Sequence, residues 1–93
     1  MIRTEGRQIV LNDGTIIPDG ECGYSEGNLW CWFTGYTMQQ AASLFFDAEK
    51  TVRIVFQYGD MQDVYEGFTV CTNIGINVDD VVSVCLVRGE NNA

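Results

Sequence analysis

The chain has no histidine, a single proline, five basic residues and no long apolar run. Each shortage excludes something. Without histidine the group that most often moves protons at neutral pH is missing, and with it the commonest nitrogen ligand for metals. Five Lys and Arg stand against thirteen Asp and Glu, a net charge of −8. Arg3, Arg7, Lys50, Arg53 and Arg88 are scattered along the sequence. No basic patch is available to neutralise phosphates, so direct nucleic-acid binding is not expected. No stretch approaches the roughly 18 apolar residues of a membrane-crossing helix. The opening MIRTEGRQIVLNDG lacks the apolar segment of a signal peptide, so the expectation is a soluble, cytoplasmic chain.

The same search removes most catalytic chemistry. There is no G-x-x-x-x-G-K-[ST] and no G-x-G-x-x-G after a strand, so no phosphate-cradling loop is expected. The four cysteines, Cys22, Cys31, Cys71 and Cys85, lack the close C-x₂-C pairing of structural zinc sites. An even count would suggest disulfides in an exported protein; in a reducing compartment free cysteines act as small buried hydrophobes. As nucleophiles they need a nearby base or cation. Cys71 and Cys85 have none in sequence, and Glu21 beside Cys22 would raise rather than lower its pKa. The acidic pairs Asp60/Asp63 and Asp79/Asp80 read as solvated turns, without the spacing of an EF-hand. No catalytic residue, metal, cofactor or small-molecule substrate is expected, and the chain is read as a non-enzyme.

The 93 residues, 46% hydrophobic and 19% charged, have the balance of one globular domain spanning 1–93. The ordered core is expected at about 7–88, with a frayed tail at 89–93. Gln8 to Leu11 reads as a strand, Asn12-Asp13-Gly14 as a hairpin turn and Thr15 to Ile17 as the return strand. Pro18-Asp19-Gly20 stops it. Glu21 to Asn28 is open between a loop and a weak edge strand. Leu29 to Phe33, LWCWF, is the third strand. Thr37, with Gln40 three residues on, is a capping box opening a helix; Met38, Ala41, Ala42 and Phe45 share one face of it. The helix is expected to end near Asp47.

Val52 to Tyr58 alternates, with Val52, Ile54, Phe56 and Tyr58 on one face and Arg53, Val55 and Gln57 on the other. Asp60 to Asp63 reads as a solvated loop. In Phe68 to Val78 strict alternation puts Phe68, Val70, Ile74, Ile76 and Val78 together. Val81 to Val87 returns, pairing Ile76 with Val82 and Ile74 with Val84, or slipping by two. The expected architecture is α+β: one helix packed on a small, curled, mostly antiparallel sheet, in the order β-β-β-α-β-β-β.

This architecture leaves a covering problem. Leu29, Cys31 and Phe33 share a face, so Trp30 and Trp32 must share the other. A helix of about ten residues covers only one face of a sheet. The second face is closed by loops, by the N-terminal hairpin or by another protein chain. Two adjacent indoles of about 150–250 Å² each, surrounded by mixed polar residues, fit a protein interface. Trp30, Trp32, Tyr24 and Val55 are the candidate interface residues, and the expected occupant is a protein partner or a second copy of the chain. The acidic surface serves solubility; mimicry of nucleic acid, to inhibit a host defence or nucleic-acid enzyme, is the alternative.

One segment carries a resemblance. GYTMQQAASLFFDAEKTVRIVFQYGDMQDVYEGFT contains Thr37, Ala41, Phe45 and Asp47 in the pattern T-x-x-x-A-x-x-x-F-x-D. Lys50, Thr51, Ile54 and Tyr58 then give K-T-x-x-I-x-x-x-Y, and Tyr65, Gly67, Phe68 and Thr69 give Y-x-G-[FY]-T. It resembles small uncharacterised proteins encoded by phages and prophages of gut Firmicutes. The resemblance implies a phage accessory or structural protein near the tail genes, in the bacterial cytoplasm or on the virion. It supplies no catalytic residues, and the cysteines and tryptophans lie outside its pattern.

Overall fold

Hairpins dominate the architecture because turn residues recur at short intervals. The computed structural model describes residues 7–89. Its strands are β1 (Gln8–Val10), β2 (Ile16–Pro18), β3 (Glu21–Ser25), β4 (Asn28–Phe33), β5 (Arg53–Tyr58), β6 (Met61–Glu66), β7 (Val70–Ile76) and β8 (Val82–Val87). Helices α1 (Met38–Phe45) and α2 (Ala48–Thr51) lie between β4 and β5. The fold is small, α+β and antiparallel, with one main helix, as the sequence suggests. The order is not the expected β-β-β-α-β-β-β but β-β-β-β-α-α-β-β-β-β, and the eight strands form two four-stranded sheets instead of one, β2-β1-β5-β6 and β3-β4-β8-β7. Each half of the chain places one hairpin in each sheet. The halves meet through β1 against β5 and through β4 against β8.

The first turn forms as its sequence requires. Gly14 sits at φ 93°, its N–H donates to the Leu11 carbonyl at 2.9 Å, and the Leu11 N–H donates to Thr15. This is a type I turn closed by a left-handed residue. The capping box of α1 is also present. The Gln40 N–H donates to Thr37 Oγ1 at 3.1 Å, and the Thr37 N–H donates to Gln40 Oε1 at 3.0 Å. Together they satisfy two N–H groups that the helix end leaves free. Ala41 and Phe45 are buried, with Phe45 stacked on Phe33 at 5.5 Å. Met38 remains more than a third exposed. The helix stops at Phe45, and Asp47 then caps α2 by accepting the Glu49 N–H.

Two strand expectations are corrected. Of the segment expected as a solvated loop at Asp60 to Asp63, only Asp60 stays in the turn; Met61 to Asp63 belong to β6, which pairs along β5 from Arg53↔Glu66 to Tyr58↔Met61. It is an edge strand, and Asp63 points to the inner face, where it accepts the Tyr58 hydroxyl at 3.2 Å. An inward carboxylate and acidic residues discourage further strand pairing at an edge. In β7 a bulge between Cys71 and Asn73 resets the alternation. Cys71 and Ile74 pack on the core, while Val70 is exposed and Val78 lies beyond the strand in solvent. Above the bulge the expected register holds, Ile74↔Val84 and Ile76↔Val82.

The two sheets share one core. Ile9, Ile17, Ile54 and Phe56 come from the first sheet, Leu29, Cys31, Phe33, Val82, Val84 and Leu86 from the second, and Ala41 and Phe45 from α1. Burial of such side chains is worth about 1.5–3 kcal/mol each. Phe68 closes the rim, fully buried, with Arg88 stacked over its ring at 4.7 Å. The expected tail at 89–93 lies outside the described residues except for Gly89, whose N–H donates to the Gly67 carbonyl.

Candidate functional site

β4 runs through the middle of the second sheet, between β3 and β8. Its inner residues Leu29, Cys31 and Phe33 are essentially inaccessible. Alternation therefore sends Trp30 and Trp32 outward. Trp30 lies opposite Gly23 on β3 and Cys85 on β8; Trp32 lies opposite Glu21 and Ser83. The neighbours are small or polar, so they leave the indoles prominent. The rings are nearly parallel, at 9°, with centroids 6.3 Å apart. The six-membered ring of Trp32 leans across β3, and a Cβ on Gly23 would meet it at 3.3 Å. Trp32 is 37% exposed and Trp30 half-buried. Beneath them Cys85 is outward-facing yet only 5% exposed, and it stands outside the core cluster. Neither tryptophan belongs to the buried core cluster.

The four candidate interface residues do not form one patch. Trp30 and Trp32 define the outer face of the second sheet. Tyr24 shares the inner side of β3 with Cys22, at the open rim between the sheets. It stacks on Tyr65 at 6.3 Å and meets Phe68 edge-on at 5.8 Å. Burial, with Asp63 nearby, pushes the Tyr65 phenol up to about 12. Val55 belongs to the other sheet, on its outer face between Val10 and Val64, and is only 8% exposed. The polar residues near the tryptophans are Glu21, Ser83 and, beyond Cys85, Asn73. Glu21 is held by Arg7 at 3.1 Å.

Elsewhere, a concavity of about 550 Å³ lies between the start of α1 and the β7–β8 turn. Tyr36, Met38, Gln40, Ile76 and Asp80 line it, and Asp80 is its one carboxylate. Among the described residues no group of three His, Cys, Asp or Glu side chains is placed to hold a metal ion. Nor is any described helix long and apolar enough to cross a membrane. Burial pushes the Cys71 thiol up from its ordinary value. No family model, curated protein or solved structure matches the chain.

Proposed function

We propose that the chain is a non-enzymatic, protein-binding accessory or structural protein of a phage or prophage, and that it docks through the face centred on Trp30 and Trp32. The observation that carries the reading is the parallel indole pair left outside the core, on the outer face of the second sheet, with Trp32 more than a third exposed. Aromatic centres ringed by polar residues are where protein interfaces concentrate their binding energy. The occupant is a different protein in preference to a second copy. A net charge of −8 on each chain opposes self-association, whereas a neutral or basic partner meets no such repulsion. The phage origin rests on the resemblance of the segment from Gly35 to Thr69.

The acidic residues sit at many different turns. Asp13, Asp19, Glu26, Asp60, Asp79 and Asp80 occupy five of the six direct strand-to-strand connections, and Asp47 lies between the helices. Glu21 and Glu66 are tied to Arg7 and Arg53. A nucleic-acid mimic needs a continuous acidic stripe, so the inhibitor reading ranks second.

The test compares the wild type with Trp30→Ala/Trp32→Ala in capture experiments from prophage-induced cells, alongside sedimentation of the purified chain. A protein retained by the wild type and lost by the folded double variant is the expected result. A double variant that unfolds as readily as a core substitution, with the wild type retaining nothing, makes the indoles structural and overturns the reading. Self-association abolished by the same substitutions would replace the partner with a second copy.

A further inference from the structure

β3 and β4 are joined by Glu26 and Gly27, both at positive φ, 52° and 84°. That is the backbone of a two-residue type I′ hairpin turn. In such a hairpin the flanking residues, Ser25 and Asn28, exchange both backbone hydrogen bonds, and bonded and non-bonded pairs alternate from there. Along the register Tyr24↔Leu29 is then non-bonded, Gly23↔Trp30 bonded and Cys22↔Cys31 non-bonded. Non-bonded pairs hold their Cα atoms about 4.5 Å apart, within the span of a disulfide. The two Sγ atoms are 3.6 Å apart. Cys31 is fully buried and Cys22, on the edge strand β3, only partly buried, so Cys22 is the more accessible member of the pair. The remaining thiols have no such arrangement. Cys71 packs toward the core from β7, while Cys85 faces outward from β8.

We propose that Cys22 and Cys31 are a redox modification site, closed into a cross-strand disulfide by exchange with a small-molecule disulfide such as oxidised glutathione. The Cys22 thiolate attacks one glutathione sulfur, forms a mixed disulfide and expels one glutathione thiolate. Cys31 then loses its proton, its sulfur attacks Cys22 Sγ, and the second glutathione thiolate leaves. The two cysteines lose two electrons, glutathione disulfide gains them, and the two protons end on the two glutathione thiols. Entry falls to Cys22 because Cys31 is the less reactive partner. The hydrogen bond with the Cys22 thiol, followed by burial, holds Cys31 well above the ordinary thiol range. Exchange should therefore be slow at neutral pH and faster in mildly alkaline buffer. The bond would fix β3 to β4 on the side of the ribbon opposite the indoles, leaving the tryptophan face open.

The experiment incubates the full chain with oxidised glutathione under native, mildly alkaline conditions, then alkylates the free thiols after denaturation. Expected are loss of two hydrogen masses, two alkylatable thiols in place of four, and a disulfide-linked pair of chymotryptic peptides. Cleavage after Tyr24 and Trp30 separates Cys22 from Cys31 and makes that link visible. Tm should rise by roughly 10 °C over the reduced chain, because the bond closes a short loop in the unfolded state. Cys22→Ser should abolish both the link and the rise, and Cys71→Ser should keep both. Four alkylatable thiols after treatment, a persistent glutathione adduct on Cys22 alone, or a link involving Cys71 or Cys85 would each overturn the assignment.

Discussion

On the outer face of the first sheet, Ile16, Val10, Val55 and Val64 fall in one cross-strand row. On the outer face of the second, Trp30 and Trp32 follow one another along a single strand. The row covers itself. Val55, flanked on both sides by valine, is almost as hidden as a core residue, although Ile16 and Val64 at the edges are open to solvent. A glutamine ladder borders it, with Gln8 Nε2 donating to Gln57 Oε1 at 3.0 Å, and the Arg53–Glu66 pair lies on its other side. The tryptophans have glycine, serine, cysteine and glutamate as cross-strand neighbours and cannot be covered by them. Short branched side chains spread across strands hide the middle of their row. Large rings stacked along one strand, with small or polar neighbours, leave Trp32 more than a third exposed.

The sharpest way to break this contrast is to place one charge on each face. Val55→Asp buries a carboxylate between Val10 and Val64, and the expected loss is about 3 kcal/mol or more of unfolding free energy. Trp32→Asp puts the same group where water already reaches, and about 1 kcal/mol is expected, mainly from the lost ring stacking. Urea midpoints measure both. Equal losses would mean that the tryptophan face is packed as closely as the valine row.

The contrast was partly legible in the sequence. Alternation through Leu29, Cys31 and Phe33 is enough to send Trp30 and Trp32 outward, and Thr37 with Gln40 is enough to start α1. A period of two reports which side of a strand is apolar, but not which sheet the strand joins. Val55 and the tryptophans therefore look like one surface until two sheets separate them. Met61–Glu66 is hard to see as a strand because an edge tolerates, and uses, the acids that lower strand propensity. The bulge in β7 is invisible to strict alternation, so Val70 and Cys71 exchange sides. For the cysteine pair the missing signal is Glu26-Gly27: once these two residues are the turn, the register from Ser25↔Asn28 puts Cys22 opposite Cys31.

A second prediction concerns the inner rim, which neither outer face shares. Tyr65 is raised in the folded chain, by burial first and then by Asp63, to about 12, against about 10 when unfolded. A raised value means that the fold prefers the neutral phenol. Its contribution is complete below pH 10 and is lost as pH rises from about 10 towards 12. Tm should fall through that window, and Tyr65→Phe should flatten the fall while Trp32→Ala leaves it in place. Absorbance at alkaline pH should show a tyrosine ionising later than the others; simultaneous ionisation would place Tyr65 in open solvent.

Gly23→Ala is a smaller test of how the indoles are seated. The added methyl meets the Trp32 ring at a distance the ring can relieve only by lifting. Acrylamide quenching of tryptophan fluorescence should increase while the urea midpoint moves little. Unchanged quenching would mean that the ring does not rest on Gly23.

The smallest effect is expected at the Arg53–Glu66 pair on the first sheet. Both side chains are at least half exposed, and the nitrogen–oxygen distance is 3.4 Å. Exposed pairs of this kind contribute about 0.2–1 kcal/mol, less in salt. A double-mutant cycle with Arg53→Ala and Glu66→Ala should give a coupling at the low end of that range, fading as salt is added. A coupling that persists in high salt would require the pair to be shielded from water, and the outer face of the first sheet would then need a cover of its own. The two faces would then become alike, and the proposal that docking concentrates at Trp30 and Trp32 would lose its support.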